Sequence, residues 1–417
     1  MTDMGQRLIF HIDVNSAYLS WESVRRVQNG ETDLREIPAV IGGDPEKRTG
    51  IVLAKSISAK RFGIVTGEPM MMALKKCPGL VSAAPDFRLY DRCSRAFKKI
   101  CASYAPVMES YSIDEVFLDM SGTGYIYPDP VATAYEIRDK IREELGFTVN
   151  IGIGENKLCA KMASDFEKPD RVHTLWKEEI PQKMWPLPVR ELFTVGRATA
   201  KRLNDADIRT IGELAHADPA YLCRLTGTKQ GIHLYEFANG IDNSPVLDVP
   251  EEAKGYSVET TLEEDAEDAA GMRRVLLMQA DTVAGRMRRD GKKARCIAVT
   301  YRTNLFVNRS HQRKLSAATD VTSEIYAVAC ELLDEFYNNE PVRLIGLALT
   351  DVDRGDYEQM TLFRDEKKER LRRLDTAVDQ IREKYGRTSI RRASVMDDGE
   401  RIGKKYLAQQ DNEQEER

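Results

Sequence analysis

The chain has 417 residues, room for two to four domains of ordinary size. Apolar residues make up 42% and charged residues 31%, which excludes collagen-like, rod-like coiled-coil and wholly disordered chains. The net charge of −5, from 62 basic and 67 acidic residues, excludes a histone-like polycation but not a local basic face.

No run approaches the ~18 apolar residues of a membrane span, and MTDMGQRLIF is too short and polar for a signal peptide. A soluble, cytoplasmic protein without membrane contact is expected. The seven cysteines are widely spaced and form no C-x-x-C, and the five histidines fall in no ligand spacing, so reduced, mostly buried thiols are expected rather than disulfides or zinc.

In chain order, residues 8–14 (LIFHIDV) read as a β-rich strand ending in a carboxylate. Residues 37–43 and 51–54 read as strands and 56–63 as a short basic helix. A helical pattern at 86–105 precedes 108–122, which reads as strand, tight turn, strand around Ser112-Ile113-Asp114-Glu115. A helix is expected over 131–145, a strand over 149–153 and a helix from 156. The proline-rich stretch 181–190 marks a boundary, followed by short helices over 188–215. Residues 241–254 read as a linker. After it come strand (255–262), helix (266–289), strands (294–304 and 311–316), helix (320–336) and strand (342–351), a β-α-β-β-α-β order expected to form a small α+β domain. A helix-like stretch at 364–385 and an acidic end, expected to be disordered, complete the chain.

Two strand-end carboxylate sites stand out, Asp13 and Asp114-Glu115. Phosphoryl transfer on nucleotides uses two hard cations ~3.5–4 Å apart on oxygen ligands, and three carboxylates from neighbouring strands suit that need. Taken alone, surface carboxylates at strand ends are the stronger reading.

The context alters it. IDVNSAYLSWE at 12–22 and SIDEVFLDM at 112–120 resemble the Y-family DNA polymerases, the translesion enzymes of the DNA polymerase IV and UmuC kind. AKRFGIVTGEP at 59–69 and GIGENKLCAKMASDFEKP at 152–169 continue the match, and residues 186–214 resemble the family's thumb segment. The resemblance runs from about residue 8 to 352 in the family's order.

The resemblance implies a multidomain α+β right-hand polymerase. Its palm is expected at 1–16 and 84–175, small fingers at 17–83, a helical thumb with a helix–hairpin–helix at 176–245 and a linker at 246–254. A little finger is expected at 255–352 and a tail at 353–417. It also implies template-directed, low-fidelity synthesis past damaged bases without proofreading. Asp13, Asp114, Glu115 and the Val14 main-chain carbonyl are then the ligands of two Mg²⁺, with Mn²⁺ as an alternative. The partners are primer-template DNA and dNTPs, and the chain is expected to be monomeric.

Tyr18, five residues after Asp13, stands where the family places its steric gate against ribonucleotides. Lys60, Arg61 and Lys168 are candidate triphosphate contacts. Where many relatives carry Tyr-x-x-Arg this chain has Ile57-Ser58-Ala59-Lys60, and Ser56 is a candidate replacement for the missing hydroxyl. Asn15 replaces an acid common in relatives.

FTVGRATAKRLNDADIRTIGEL at 193–214 looks like the helix–hairpin–helix, with Val195, Gly196 and Arg197 at the phosphate-facing turn and Thr194 where the family usually has glycine. Residues 271–316 hold twelve Lys/Arg against Asp281 and Asp290 alone. Arg273, Arg286, Arg288, Arg289, Lys292, Lys293, Arg295, Arg302 and Arg309 of this block are therefore candidate DNA contacts. Gln359-Met360-Thr361-Leu362-Phe363 looks like a bacterial sliding-clamp peptide anchored by Gln359, Leu362 and Phe363. The readings held against these are a catalytically inactive DNA-binding adaptor, from which the retained carboxylates depart, and a UmuC-like subunit needing a separate activator.

Overall fold

The computed structural model describes residues 7–44, 50–249, 251–353, 366–386 and 389–393. The chain divides into two compact units, one running to residue 250 and one from 251 onward.

The first unit begins with β1 (Ile9–Val14), whose six residues are all buried, then α1 (Ala17–Gln28). β2 (Ala39–Gly42), β3 (Val52–Lys55), α2 (Ile57–Arg61), α3 (Met70–Lys76) and β4 (Val81–Ala83) follow. β2, β3 and β4 form a small separate sheet, ordered β3-β2-β4, over its own core of Val40, Val52, Ala59, Ile64 and Met70. Then come α4 (Phe87–Ala102), β5 (Val107–Ser110), β6 (Glu115–Asp119), α5 (Pro130–Leu145), β7 (Val149–Gly154), α6 (Lys157–Asp165) and β8 (Val172–Leu175). The unit closes with short helices α7 (Ile180–Lys183), α8 (Arg197–Asp205), α9 (Ile211–Ala215), α10 (Pro219–Thr226) and α11 (Thr228–Ala238).

β1 lies at the centre of a five-stranded sheet, β5-β6-β1-β7-β8, antiparallel except for the β7–β8 pair. Two-sided burial explains its near-continuous apolar run, since a central strand has no solvent face. Successive residues point to opposite faces. Phe10, Ile12 and Val14, with Val116, Leu118, Ile151 and Ile153, enter the large core beneath α4 and α5, which Leu19 and Trp21 of α1 also join. His11 and Asp13 point the other way, opposite Phe117 and Glu115. That face is covered by α6. A Cβ at Gly152 would stand 2.0 Å from the Ala160 carbonyl oxygen, so only glycine lets the helix lie this close. The short strands β4 and β8 carry too little alternation to stand out in the sequence.

The second unit runs β9 (Gly255–Ala266), α12 (Ala269–Arg289), β10 (Lys293–Thr303), β11 (Asn308–Thr319), α13 (Thr322–Phe336), β12 (Val342–Asp353) and α14 (Glu366–Tyr385). The sheet order β11-β10-β12-β9 is antiparallel throughout, and α12 and α13 share one core with it. β11 spans 12 residues, twice the expected 311–316, because its polar residues extend an edge strand whose ends carry no apolar signal. The helix-like stretch at the C-terminal end is α14, seated by charge. Asp375 accepts from the Thr322 backbone N–H at 2.8 Å, capping α13, and Arg372 and Arg382 pair with Asp320 and Asp281. Residues 359–363, the expected clamp peptide with Gln359, Leu362 and Phe363, lie outside the described residues.

Candidate active site

The site grows from one register. Asp13, the fifth residue of β1, pairs directly across the ladder with Glu115, the first residue of β6. Their side chains therefore rise from the same face. The tight turn before β6 is fixed by Tyr111 and Ser112 N–H groups on the Glu115 carbonyl, and the Val14 N–H donates to the Asp114 carbonyl at 3.0 Å. The Asp114 carboxylate takes the Ser112 hydroxyl at 2.7 Å.

Asp13 is buried, and burial pushes its carboxyl up to about 6, against the opposing pull of Lys168 and Lys161. Lys168 Nζ stands 2.5 Å from Asp13 Oδ2, and Lys161 Nζ stands 2.5 Å from Glu115 Oε1 and 3.8 Å from Asp13 Oδ2. Burial works against both ammonium groups. For Lys161 the neighbours Asp165 and Glu115, and for Lys168 Asp13 and Asp165, outweigh it and hold both above the ordinary lysine value. Beneath them His11 donates to or accepts from Ser164 at 2.8 Å, and its Nε2 has no hydrogen-bond partner among the described residues.

Among the described residues no three His, Cys, Asp or Glu side chains converge on a common point suited to a cation. The donors still fit a hard divalent cation. They are carboxylate oxygens facing one another at adjacent strand ends, and each already draws an ammonium group.

The loop that carries Lys168 is tied down by two asparagines. Asn15 donates to Asn150 Oδ1 at 3.1 Å, while its own oxygen accepts from Thr148 and from the Asp170 N–H, both at 3.0 Å. Asn150 also donates to the carbonyls of Ser164 and Glu167. Asn15 is thus a brace.

Tyr18 is half-buried and stacks on Tyr90, ring centroids 4.5 Å apart at an interplanar angle of 8°. Lys60 and Arg61 are exposed in the last turn of α2. Ser56 departs from expectation. Its hydroxyl is buried and accepts the Ala39 and Ala59 N–H groups at 3.0 Å each, capping α2. Its oxygen also lies 3.0 Å from the Ser58 hydroxyl, so the buried Ser56 hydroxyl spends its hydrogen-bonding capacity inside the protein, as a helix cap.

Gly196 caps α8 with no side-chain hydrogen bond, so the first-turn N–H groups lack a side-chain acceptor, and Arg197 beside them is exposed. Val195 is buried, and Thr194 holds φ 74°, the left-handed conformation that suits glycine. In the second unit the basic block is largely matched by acids. Arg288, expected on DNA, has a side chain 8% exposed and pairs with Asp379 at 2.7 Å and Asp375 at 3.6 Å. Lys292 is likewise buried, on Glu252 at 3.0 Å. Both are internal struts, because a buried charge must be paired. Arg273, Arg295 and Arg309 form surface pairs with Asp334, Asp353 and Glu340, and Arg302 donates to Asn308. Arg289 is exposed, and Arg286 and Lys293 are half-exposed.

Residues 12–165 match the impB/mucB/samB family, 253–362 its C-terminal domain, and 190–242 the thumb domain of DNA polymerase iota. The chain is 42% identical to the DNA polymerase IV of Clostridium acetobutylicum, over 95% of this chain and 100% of that protein. The chain belongs to the impB/mucB/samB family of Y-family polymerases. Two further family members, DNA polymerase IV of Clostridium kluyveri and DNA polymerase IV 1 of Bacillus subtilis, are 36% and 34% identical over 94% of this chain and 98% and 93% of their own lengths. The Y-family fold is also seen in solved structures. A Y-family DNA polymerase chimera, Dbh-Dpo4-Dbh, superposes with TM-score 0.72 at 22% identity, covering 83% of this chain and 99% of that one. DinB from Sulfolobus solfataricus gives 0.53 at 21%, covering 82% and 98%. Lys161 is the residue that sequence reasoning passed over. It stands in the quoted run GIGENKLCAKMASDFEKP, one helical turn before Asp165, and nothing in its spacing tells it from a surface lysine.

Proposed function

We propose that this chain is a DNA-directed DNA polymerase of the translesion class, extending a primer 3′-OH with dNTPs along a damaged template. The observation that carries the reading is the Asp13–Glu115 pair, set on the central strands of the sheet of a Y-family member, with Asp114 adjoining and two lysines reaching in.

Asp13, Asp114, Glu115 and the Val14 carbonyl would hold two Mg²⁺, or Mn²⁺ in their place. Bound there, the cations supply charge neutralisation at the phosphates and acidify the primer hydroxyl. The chain's own residues do the rest. Lys168 leaves Asp13 to meet the triphosphate, joined by Lys60 and Arg61. Tyr18, fixed against Tyr90, blocks a 2′-hydroxyl. The uncapped start of α8, at Gly196 and Arg197, takes a DNA phosphate. Arg289, Arg302, Arg286 and Lys293, with Arg273, Arg295 and Arg309 once Asp334, Asp353 and Glu340 give way, offer the duplex a sequence-independent grip. Palm, fingers, thumb and little finger follow the boundaries given above, and residues 359–363 serve a sliding clamp. The protein works as a monomer in the cytoplasm.

The test is primer extension by the purified chain alone with Mg²⁺, on intact and damaged templates. Extension supports the reading and also removes the need for an activating subunit. Absence of extension together with DNA binding would instead support the inactive adaptor.

A further inference from the structure

Lys161 and Lys168 both reach the acidic pair, but they are mounted differently. Lys161 rises from α6, which the bare face of Gly152 lets lie flush on the sheet, and its side chain is 10% exposed. Lys168 comes from the loop after α6 and is 36% exposed. Each also has a second acceptor, and it is the same one. Asp165 Oδ2 lies 3.4 Å from Lys161 Nζ, and Asp165 Oδ1 lies 2.7 Å from Lys168 Nζ. Asp165 ends α6 and is more exposed than either strand acid.

Two carboxylates facing each other on adjacent strands repel, and in a buried setting the repulsion is weakly screened. Some positive charge must stand between them. An ammonium group and a divalent cation compete for the same oxygen lone pairs, so a lysine already in place fixes how readily a cation enters.

We propose that Lys161 is the built-in counter-ion of the Asp13–Glu115 pair, bonded to Glu115 at 2.5 Å and facing Asp13 at 3.8 Å in the cation-free protein, and released wholly to Asp165, already 3.4 Å away, when a divalent cation binds. The proposal rests on reading Asp13 and Glu115 as cation ligands. Lys161 touches the acids and not the nucleotide, so it is a positioning residue. It keeps the facing carboxylates from splaying, and it raises the cation concentration needed to fill the site. Asp165 gives the displaced ammonium group a seat one turn along the same helix, so it need not enter water unpaired. Lys168, on its loop, remains available to a phosphate.

Two measurements test this without relying on turnover. The first is reductive methylation of the DNA-free wild-type protein with and without Mn²⁺, read at Lys161 by peptide mass spectrometry. Slow modification without Mn²⁺ and several-fold faster modification with it are expected. The second is Mn²⁺ binding followed by electron paramagnetic resonance. Lys161→Met, which removes the charge but keeps the length, should bind Mn²⁺ about tenfold tighter or more, and Lys161→Arg should stay near wild type. Lys161 modification unmoved by Mn²⁺, or Mn²⁺ affinity in Lys161→Met equal to or weaker than wild type, overturns the proposal. If Lys161→Met does not fold, the wild-type labelling decides alone. Primer extension by the wild type is run in parallel. Its absence removes the polymerase reading, whereas an active wild type with cation-independent labelling removes only the counter-ion.

Discussion

Asn15 and Asn150 are joined side chain to side chain, Asn15 Nδ2 donating to Asn150 Oδ1 at 3.1 Å, and together they tie the ends of β1 and β7 to the loop that presents Lys168. Asn150 is fully buried, and its amide also bonds the Ser164 and Glu167 carbonyls and lies 3.3 Å from the Arg171 N–H. Asn150→Ala leaves those backbone groups unmatched, at a cost of about 1–3 kcal/mol. The loop loosens as well. Thermal melting should show the loss of stability, and single-nucleotide kinetics should show a raised KM for dNTP that exceeds any fall in kcat.

Removing charge from the acids acts on the reaction rather than on DNA binding. Glu115→Gln and Asp114→Asn should each lower single-nucleotide insertion by several orders of magnitude. Duplex affinity, measured by fluorescence anisotropy, should remain within a few-fold of wild type. Near-normal insertion by either variant would remove the ligand assignment.

Arg288 and Arg302 test the division between structural arginines and those proposed to meet DNA. Breaking the buried Arg288–Asp379 pair with Arg288→Ala should cost about 3–5 kcal/mol and free α14 to proteolysis. It should leave the salt dependence of DNA binding unchanged in whatever fraction stays folded. Arg302→Ala should leave the melting temperature alone and lower the salt slope by about one unit.

Those two arginines also mark how far the sequence can be read. The strand–turn–strand around Asp114 and the β-α-β-β-α-β order are local patterns, and a period of two or of 3.6 declares them. The charge of a block is not local. Arg288 is answered by Asp379, 91 positions on, and Arg309 by Glu340, 31 positions on. A window drawn along the chain therefore counts cations and omits the acids that fold back over them. Ser56 misleads for the same reason, since its second partner, the Ala39 N–H, sits on a neighbouring strand. That Asp13 and Glu115 stand on neighbouring strands was legible because each lies at the end of a short apolar strand pattern. Lys161 was not, because its significance lies wholly in what α6 is pressed against.

Tyr18→Ala should raise ribonucleotide incorporation by ~10²-fold relative to wild type, as a clash of a few kcal/mol disappears. Because the ring stacks on Tyr90 within a cluster that includes Phe87 and Trp21, the variant should also melt earlier. Insertion of matched ribo- and deoxy-substrates at a temperature where both proteins are folded separates the two effects. Unchanged discrimination would mean that Tyr18 is not the gate.

His11 gives the protein a pH dependence of its own. Burial, reinforced by Lys161, Lys168 and Lys157, holds its pKa well below the ordinary histidine value, so the folded protein keeps the ring neutral. The unfolded chain takes up the proton near 6.5. Stability from this residue is therefore complete above that pH and declines as pH falls below it. Asp13, pushed up to about 6, works in the opposite sense, so the His11 contribution is read as the difference between wild type and His11→Asn from pH 7.5 to 5, which should shrink as pH falls.

Among the described residues β11 pairs only with β10, so one row of its backbone N–H and C=O groups has no described strand beside it. Such an edge invites a second sheet to add on. Here Arg309, Arg313 and Lys314 stand along that edge, each ion-paired with an acid of its own unit (Glu340, Glu331 with Glu335, and Asp351), so an approaching copy would have to strip water from a row of charged pairs. The same side chains that suit a polyanion thus guard the rim of the sheet, and a variant stripped of them to abolish nucleic-acid binding should precipitate at concentrations the parent tolerates.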